Sequence, residues 1–173
     1  MPGYGDECRS RFRQKRAASS TRQIVPSAER TYVDPSALRS LYLHDDRSGR
    51  FCAWRKRTGG SLPVTRFGRA EIVNSIFLAV QRRVIEPEVA VAATDDLDGD
   101  FREGRLTLLD ALWRRTLDTA SELSRRHTAL LGTRTLDVLH VATALTLELT
   151  HFVSYDTRQK ALAKKVGLRL LAP

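Results

Sequence analysis

The chain has 173 residues, a hydrophobic content of 42% and a net charge of +9. This length suits a single domain with a buried core and a short appendage. No stretch approaches the ~18 consecutive apolar residues of a membrane helix, and the basic N-terminus lacks the apolar region of a signal peptide. The two cysteines, Cys8 and Cys52, do not have metal-site spacing. We therefore expect a cytoplasmic protein with reduced thiols and no membrane partner.

Residues 1–30 are rich in Arg, Ser and Gln and show no hydrophobic periodicity. They predict either a basic, disordered arm or sequence upstream of the true start. The net charge of residues 1–31 is +4, which leaves +5 for the rest of the chain. A basic body is typical of proteins that bind polyanions, although an Arg-rich solvated surface would explain the charge equally well.

From residue 31 onward, predicted strands alternate with predicted helices. Short apolar runs at 31–34, 62–65, 105–109 and 168–171, and a run that stops at Asp156, are typical of strands. Helical periodicity lies between them, most clearly at 66–83, 86–101, 111–131 and 158–166. This alternation predicts an α/β domain over 31–173, in which helices sandwich a mostly parallel sheet.

Four carboxylates occupy the ends of these predicted elements. Asp34 and Asp156 follow strands, Asp137 opens an apolar helix, and Glu71 lies in the second turn of the helix after the second strand. Sites in parallel sheets form outside the carboxyl ends of the strands. Clustered carboxylates repel one another unless a cation lies among them, and a set of oxygen ligands favours Mg²⁺ or Mn²⁺. The four acids therefore predict a metal site.

Each acid also has a simpler interpretation. Asp34 and Asp156 suit helix caps, Asp137 suits a favourable first-turn charge, and Glu71 suits a solvent-facing helix. His140 is expected to be a packed histidine that is hydrogen-bonded to backbone. Ser154, two residues before Asp156, is expected to position water or substrate.

Four segments, at 32–38, 69–74, 135–145 and 152–159, resemble the motifs of PIN-domain ribonucleases, and in particular the VapC toxins of type II toxin–antitoxin systems. The most specific part is the T-x-D-x-x-H-x-A-x-A-L block from Thr135, followed by a strand that ends in S-x-D-x-R-Q. The resemblance covers about residues 31–172. The basic arm departs from the family pattern, and no fifth acid lies close to Asp137, so the number of metal ions is left open.

The resemblance implies a three-layer α/β/α sandwich with a PIN-like, mostly parallel central sheet. It implies a Mg²⁺- or Mn²⁺-dependent endoribonuclease with Asp34, Glu71, Asp137 and Asp156 as the catalytic acids, of which Asp34, Asp137 and Asp156 would hold the metal. A homodimer and a cognate antitoxin protein would be its partners, and RNA its substrate. Two alternatives remain: a PIN-like module that binds RNA or a partner without cleavage, and a phosphatase or flap-type DNA nuclease.

Overall fold

The computed structural model describes residues 28–173. It begins with a 3-10 turn at Ala28–Arg30, and the remainder of the expected basic arm lies outside the described residues. The strands are β1 (Thr31–Val33), β2 (Leu62–Thr65), β3 (Leu106–Leu109), β4 (His151–Val153) and β5 (Arg169–Leu170). The helices are α1 (Pro35–Leu38), α2 (Ser48–Arg57), α3 (Arg66–Gln81), α4 (Pro87–Arg102), α5 (Trp113–Leu123), α6 (Thr135–Thr146) and α7 (Thr157–Lys165). A π-helical turn at Ser124–Thr128 continues α5 into Ala129–Leu131.

The strand pairs of the described chain are all parallel. β4 lies between β1 and β5, and β2 pairs with β3. β2 also lies alongside β1, although the two are not joined as one hydrogen-bonded sheet. The predicted α/β class with parallel strands is confirmed. The sheets themselves are small, because the strands have only two to four residues each.

Two apolar cores lie on opposite sides of β1 and β4. Tyr32 and Phe152 face one core, with residues of α6 and α7. Val33 and Val153 face the other core, with residues of α1 to α4. This division follows from the alternation of side chains along a strand. It fixes the register of β1 against β4, since a slip by one residue would exchange the two sets of side chains.

No helix in the described part of the chain is long and apolar enough to cross a bilayer. Cys52 lies in α2 and is disulfide-bonded, so the expectation of a reduced thiol is wrong at this position. The other cysteine of the sequence, Cys8, lies outside the described residues.

Candidate functional site

Asp34 lies at the corner between β1 and α1. Its N–H donates to the carbonyl of Val153 at 2.9 Å, which extends the pairing of β1 with β4 by one step. Pro35 then starts α1, where its fixed φ angle suits the first helical turn. Asp34 is 2% exposed, and its side chain makes no capping hydrogen bond to α1 but accepts a hydrogen bond from the Ser36 hydroxyl. A helix cap therefore does not explain this buried carboxylate.

Glu71 is carried to the same corner by α3. The Thr65 hydroxyl oxygen caps this helix by accepting from the Gly68 N–H at 3.1 Å. A Cβ on Gly68 would lie 3.0 Å from Thr65 Oγ1 and 3.4 Å from Pro35 Cγ, so the absence of a side chain lets α3 start close to α1. The Glu71 side chain is about one third exposed at 31%, but its Oε2 atom is fully buried.

His140 lies between these two acids. Its Nε2 is 3.2 Å from Glu71 Oε2 and 3.7 Å from Asp34 Oδ1. The contact with Glu71 is short but lacks the alignment of a hydrogen bond. Glu71 Oε2 therefore has no hydrogen-bond partner in the described chain. The site thus contains a buried carboxylate oxygen whose capacity to accept is unused.

Tyr32 holds His140 from the opposite side of the ring. The Tyr32 hydroxyl lies 2.7 Å from His140 Nδ1. Burial raises the pKa of Tyr32 well above its usual value, the negative charges of Asp34 and Glu71 raise it further, and a hydrogen bond with Thr65 opposes them. Tyr32 therefore keeps its proton. The expectation that His140 is packed is confirmed, since it is 2% exposed. Its expected backbone hydrogen bond is wrong, because this partner is a side chain.

Asp137 and Asp156 are joined instead by Arg158. Asp137 Oδ2 accepts the Arg134 N–H at 2.8 Å and lies 3.3 Å from Arg158 Nε. Asp156 Oδ1 caps α7 by accepting the N–H groups of Arg158 and Gln159, and its Oδ2 lies 3.0 Å from Arg158 Nη2. Asp137 therefore supplies a first-turn charge and Asp156 a helix cap, as their simpler interpretations predicted.

The electrostatics of this second pair favour the charged forms. Burial alone would raise the pKa of Asp156, but the hydrogen bond from Arg158 and the two backbone N–H groups outweigh it and lower that pKa. The hydrogen bond to Asp156 raises the pKa of Arg158, burial opposes it, and the charges of Asp137 and Asp156 raise it further. A guanidinium thus occupies the place between two carboxylates.

The predicted acids therefore form two neighbouring pairs. Asp34 and Glu71 adjoin His140, Asp137 and Asp156 adjoin Arg158, and α6 connects the pairs because Asp137 and His140 are one turn apart on it. No group of three or more His, Cys, Asp or Glu side chains within residues 28–173 is arranged to hold a metal ion.

Ser154 directly follows β4, beside Asp34. Its side chain is buried, and its hydroxyl oxygen accepts the Asp156 N–H at 3.0 Å. In this structure it shapes the turn between β4 and α7.

Sequence reasoning did not assign roles to Tyr32 and Arg158. Side chains alternate along a strand, so Tyr32 lies on the same side of β1 as Asp34, and this spacing could have indicated that Tyr32 is near the site. Arg158 was part of the quoted S-x-D-x-R-Q motif, but nothing in the spacing showed that its side chain turns back to Asp137.

No family model and no curated protein matches the chain. The functional assignment therefore depends on the geometry of the site, together with the resemblance of its motifs.

Proposed function

We propose that this protein is a metal-dependent endoribonuclease. The observation that carries the proposal is the convergence of Asp34 and Glu71 at the carboxyl end of β1, with Glu71 Oε2 buried and unsatisfied. A buried carboxylate oxygen without a hydrogen-bond partner is costly unless a cation satisfies it. The surrounding chain is strongly basic, with a net charge of +9, which suits a polyanionic substrate.

The Asp34 and Glu71 carboxylates fit a Mg²⁺ or Mn²⁺ ion, because both ions prefer oxygen ligands. Such an ion activates water and offsets the charge that develops on a phosphodiester. Asp137 and Asp156 fit the ion less directly, since the Arg158 guanidinium already neutralises them. We propose that they complete the site when the Arg158 side chain turns toward a substrate phosphate.

The chain's own groups would prepare the first pair of acids. The Ser36 hydroxyl donates to Asp34 and fixes the direction of that carboxylate. His140 Nε2 lies 3.2 Å from Glu71 Oε2 and would hold this buried oxygen toward the site. Arg158, whose charge is secured by its raised pKa, would bind a phosphate oxygen at the edge of the site.

The finer fold and the biology belong to the same proposal and rest on the resemblance. The two cores on opposite faces of β1 and β4 are compatible with a three-layer, PIN-like sandwich. A VapC-like role would make the protein a cytoplasmic toxin that forms a homodimer and is inhibited by an antitoxin.

Cleavage of RNA by the purified protein tests this function. We expect internal cuts in single-stranded RNA with Mg²⁺ or Mn²⁺, and none when EDTA is in excess, since the ion supplies the activated water. Cleavage that persists in EDTA would exclude the proposed chemistry.

One observation favours a second candidate, the PIN-like module that binds without cleavage. In the described residues the four acids do not gather into a metal cluster, and Arg158 already satisfies two of them. A binding module would retain RNA in EDTA, as measured by fluorescence anisotropy, and would not cut it with any divalent ion.

A further inference from the structure

The two tryptophans of the chain lie in contrasting surroundings. Trp54 is 7% exposed and packs in the core of α1 to α4. Trp113 is the first residue of α5 and is 47% exposed. Exposure of about half of so large an apolar side chain loses much of the stabilisation that burial would give. The position of Trp113 relative to the acids suggests why it is exposed.

Trp113 is the outer end of a row of aromatic rings that leads to the acids. Its ring centroid lies 5.4 Å from that of Phe67, with a tilt of 52°. Phe67 in turn stacks on His140, at 5.3 Å and 25°. His140 Nε2 contacts Asp34 and Glu71. The starts of α5 and α3 and the middle of α6 therefore place an exposed indole two ring-to-ring steps from the acidic site.

Phe67 fixes the orientation of this indole, because ring pairs at such distances have preferred geometries. Two exposed arginines, Arg114 and Arg115, directly follow Trp113 in the chain. Arg66, beside Phe67 at the start of α3, is also exposed and forms an ion pair with Asp110. A solvent-exposed aromatic ring with arginines next to it in the chain is a combination found in sites for single-stranded nucleic acid.

We propose that Trp113 is a stacking platform for an unpaired base of the RNA strand whose phosphate lies at Asp34 and Glu71. This inference rests on the proposed function, since it specifies how the same site holds its substrate. A base that is paired in a duplex cannot present its face to the indole, so the platform selects single-stranded RNA. Stacking tolerates any base, and Trp113 would contribute affinity more than sequence preference.

Binding is measured with a short single-stranded oligoribonucleotide that carries 2′-O-methyl riboses and therefore resists cleavage. We expect it to quench the tryptophan fluorescence of the wild-type protein, both in EDTA and in Mg²⁺. In Trp113→Phe the remaining indole is that of buried Trp54, so the quenching should disappear while binding persists. In Trp113→Ala the affinity, measured by anisotropy, should fall by about tenfold.

Leu117→Ala is the matched control, because Leu117 lies on the same helix and is 52% exposed. It should bind the oligonucleotide as the wild type does. Wild-type affinity in Trp113→Ala, or no quenching in the wild type, would overturn the proposal. A change of oligomeric mass in Trp113→Ala would overturn it too, because Trp113 would then be covered by a second copy of the chain.

These readouts separate the platform from the nuclease. A protein that never cleaves RNA but is quenched at Trp113 would refute the nuclease and keep the platform. If Trp113→Ala binds and cleaves RNA as the wild type does, the platform is refuted and the nuclease is kept.

Discussion

His140 is contacted at both of its ring nitrogens. Tyr32 keeps its proton, and its hydroxyl lies 2.7 Å from His140 Nδ1, so we expect this hydroxyl to donate to that nitrogen. A histidine whose Nδ1 accepts carries its proton on Nε2, and that nitrogen faces Glu71 and Asp34.

Donation from the Tyr32 hydroxyl to Nδ1 predicts the tautomer of His140. Long-range ¹H–¹⁵N NMR should show the Nε2–H form in the wild-type protein, and Tyr32→Phe should weaken that preference because the donor to Nδ1 is lost. The exposed His44 serves as a control and should give the same spectrum in both proteins. An Nδ1–H tautomer in the wild type would contradict the arrangement.

Arg158 is the second residue whose contacts define the site. Its guanidinium neutralises Asp137 and Asp156 at 3.3 Å and 3.0 Å. Arg158→Gln removes that charge and leaves two acids next to Asp34 and Glu71. We expect the affinity for Mn²⁺, measured by calorimetry, to rise by about tenfold, because a divalent ion would no longer compete with the guanidinium.

Arg125→Gln is the comparison for this experiment, since Arg125 pairs with Glu122 on the exposed side of α5. It should leave Mn²⁺ affinity unchanged. Equal or weaker Mn²⁺ binding in Arg158→Gln would show that Asp137 and Asp156 take no part in the cation site.

Among the elements, α7 shows most clearly how one acid serves a structural purpose. Asp156 caps this helix through the N–H groups of Arg158 and Gln159. Asp156→Ala should reduce the free energy of unfolding by about 1 kcal/mol, whereas Asp156→Asn should lose only the part that comes from the ion pair with Arg158, because asparagine caps well. Urea denaturation measures both. Equal stability of Asp156→Ala and the wild type would exclude a capping role.

The lowered pKa of Asp156 adds a dependence on pH. A carboxylate with a depressed folded pKa stabilises the protein above its unfolded pKa, and this stabilisation is lost as the pH falls through the folded value. The difference in stability between wild type and Asp156→Asn should therefore shrink below about pH 4. A difference that grows on acidification would contradict the ion pair with Arg158.

The elements themselves were largely predictable, because their signals are local. The strand at 62–65 coincides with β2, Pro35 starts α1, and Asp156 caps α7 as its sequence position suggested. The contacts of His140 were not predictable in this way. They need the register of β1 against β4, which places Tyr32, and the packing of α6 against α3, which places Glu71. Both depend on residues far apart in the chain.

At the scale of the whole molecule, the two cores on either side of β1 and β4 hold these strands, and the site at their carboxyl ends, in place. Both cores contribute helices to the site. Glu71 comes from α3, a helix of the α1-to-α4 core, whereas Asp34 lies on the same side of β1 as Tyr32 and faces His140 of α6. Asp137 and Asp156 belong to the start of α6 and the start of α7. A site assembled between two cores has its geometry fixed by the sheet that separates them, which suits a reaction that depends on the placement of charge.

The most direct test of the central claim compares the RNA cleavage rates of two Asp→Asn variants at saturating Mg²⁺. Asp34→Asn removes the buried acid at the end of β1, and Asp118→Asn removes an exposed acid of α5. We predict that Asp34→Asn loses at least about a hundredfold in rate, as expected when a group that stabilises transition-state charge is lost. Asp118→Asn should match the wild type. Undiminished cleavage by a folded Asp34→Asn protein would contradict the proposed site.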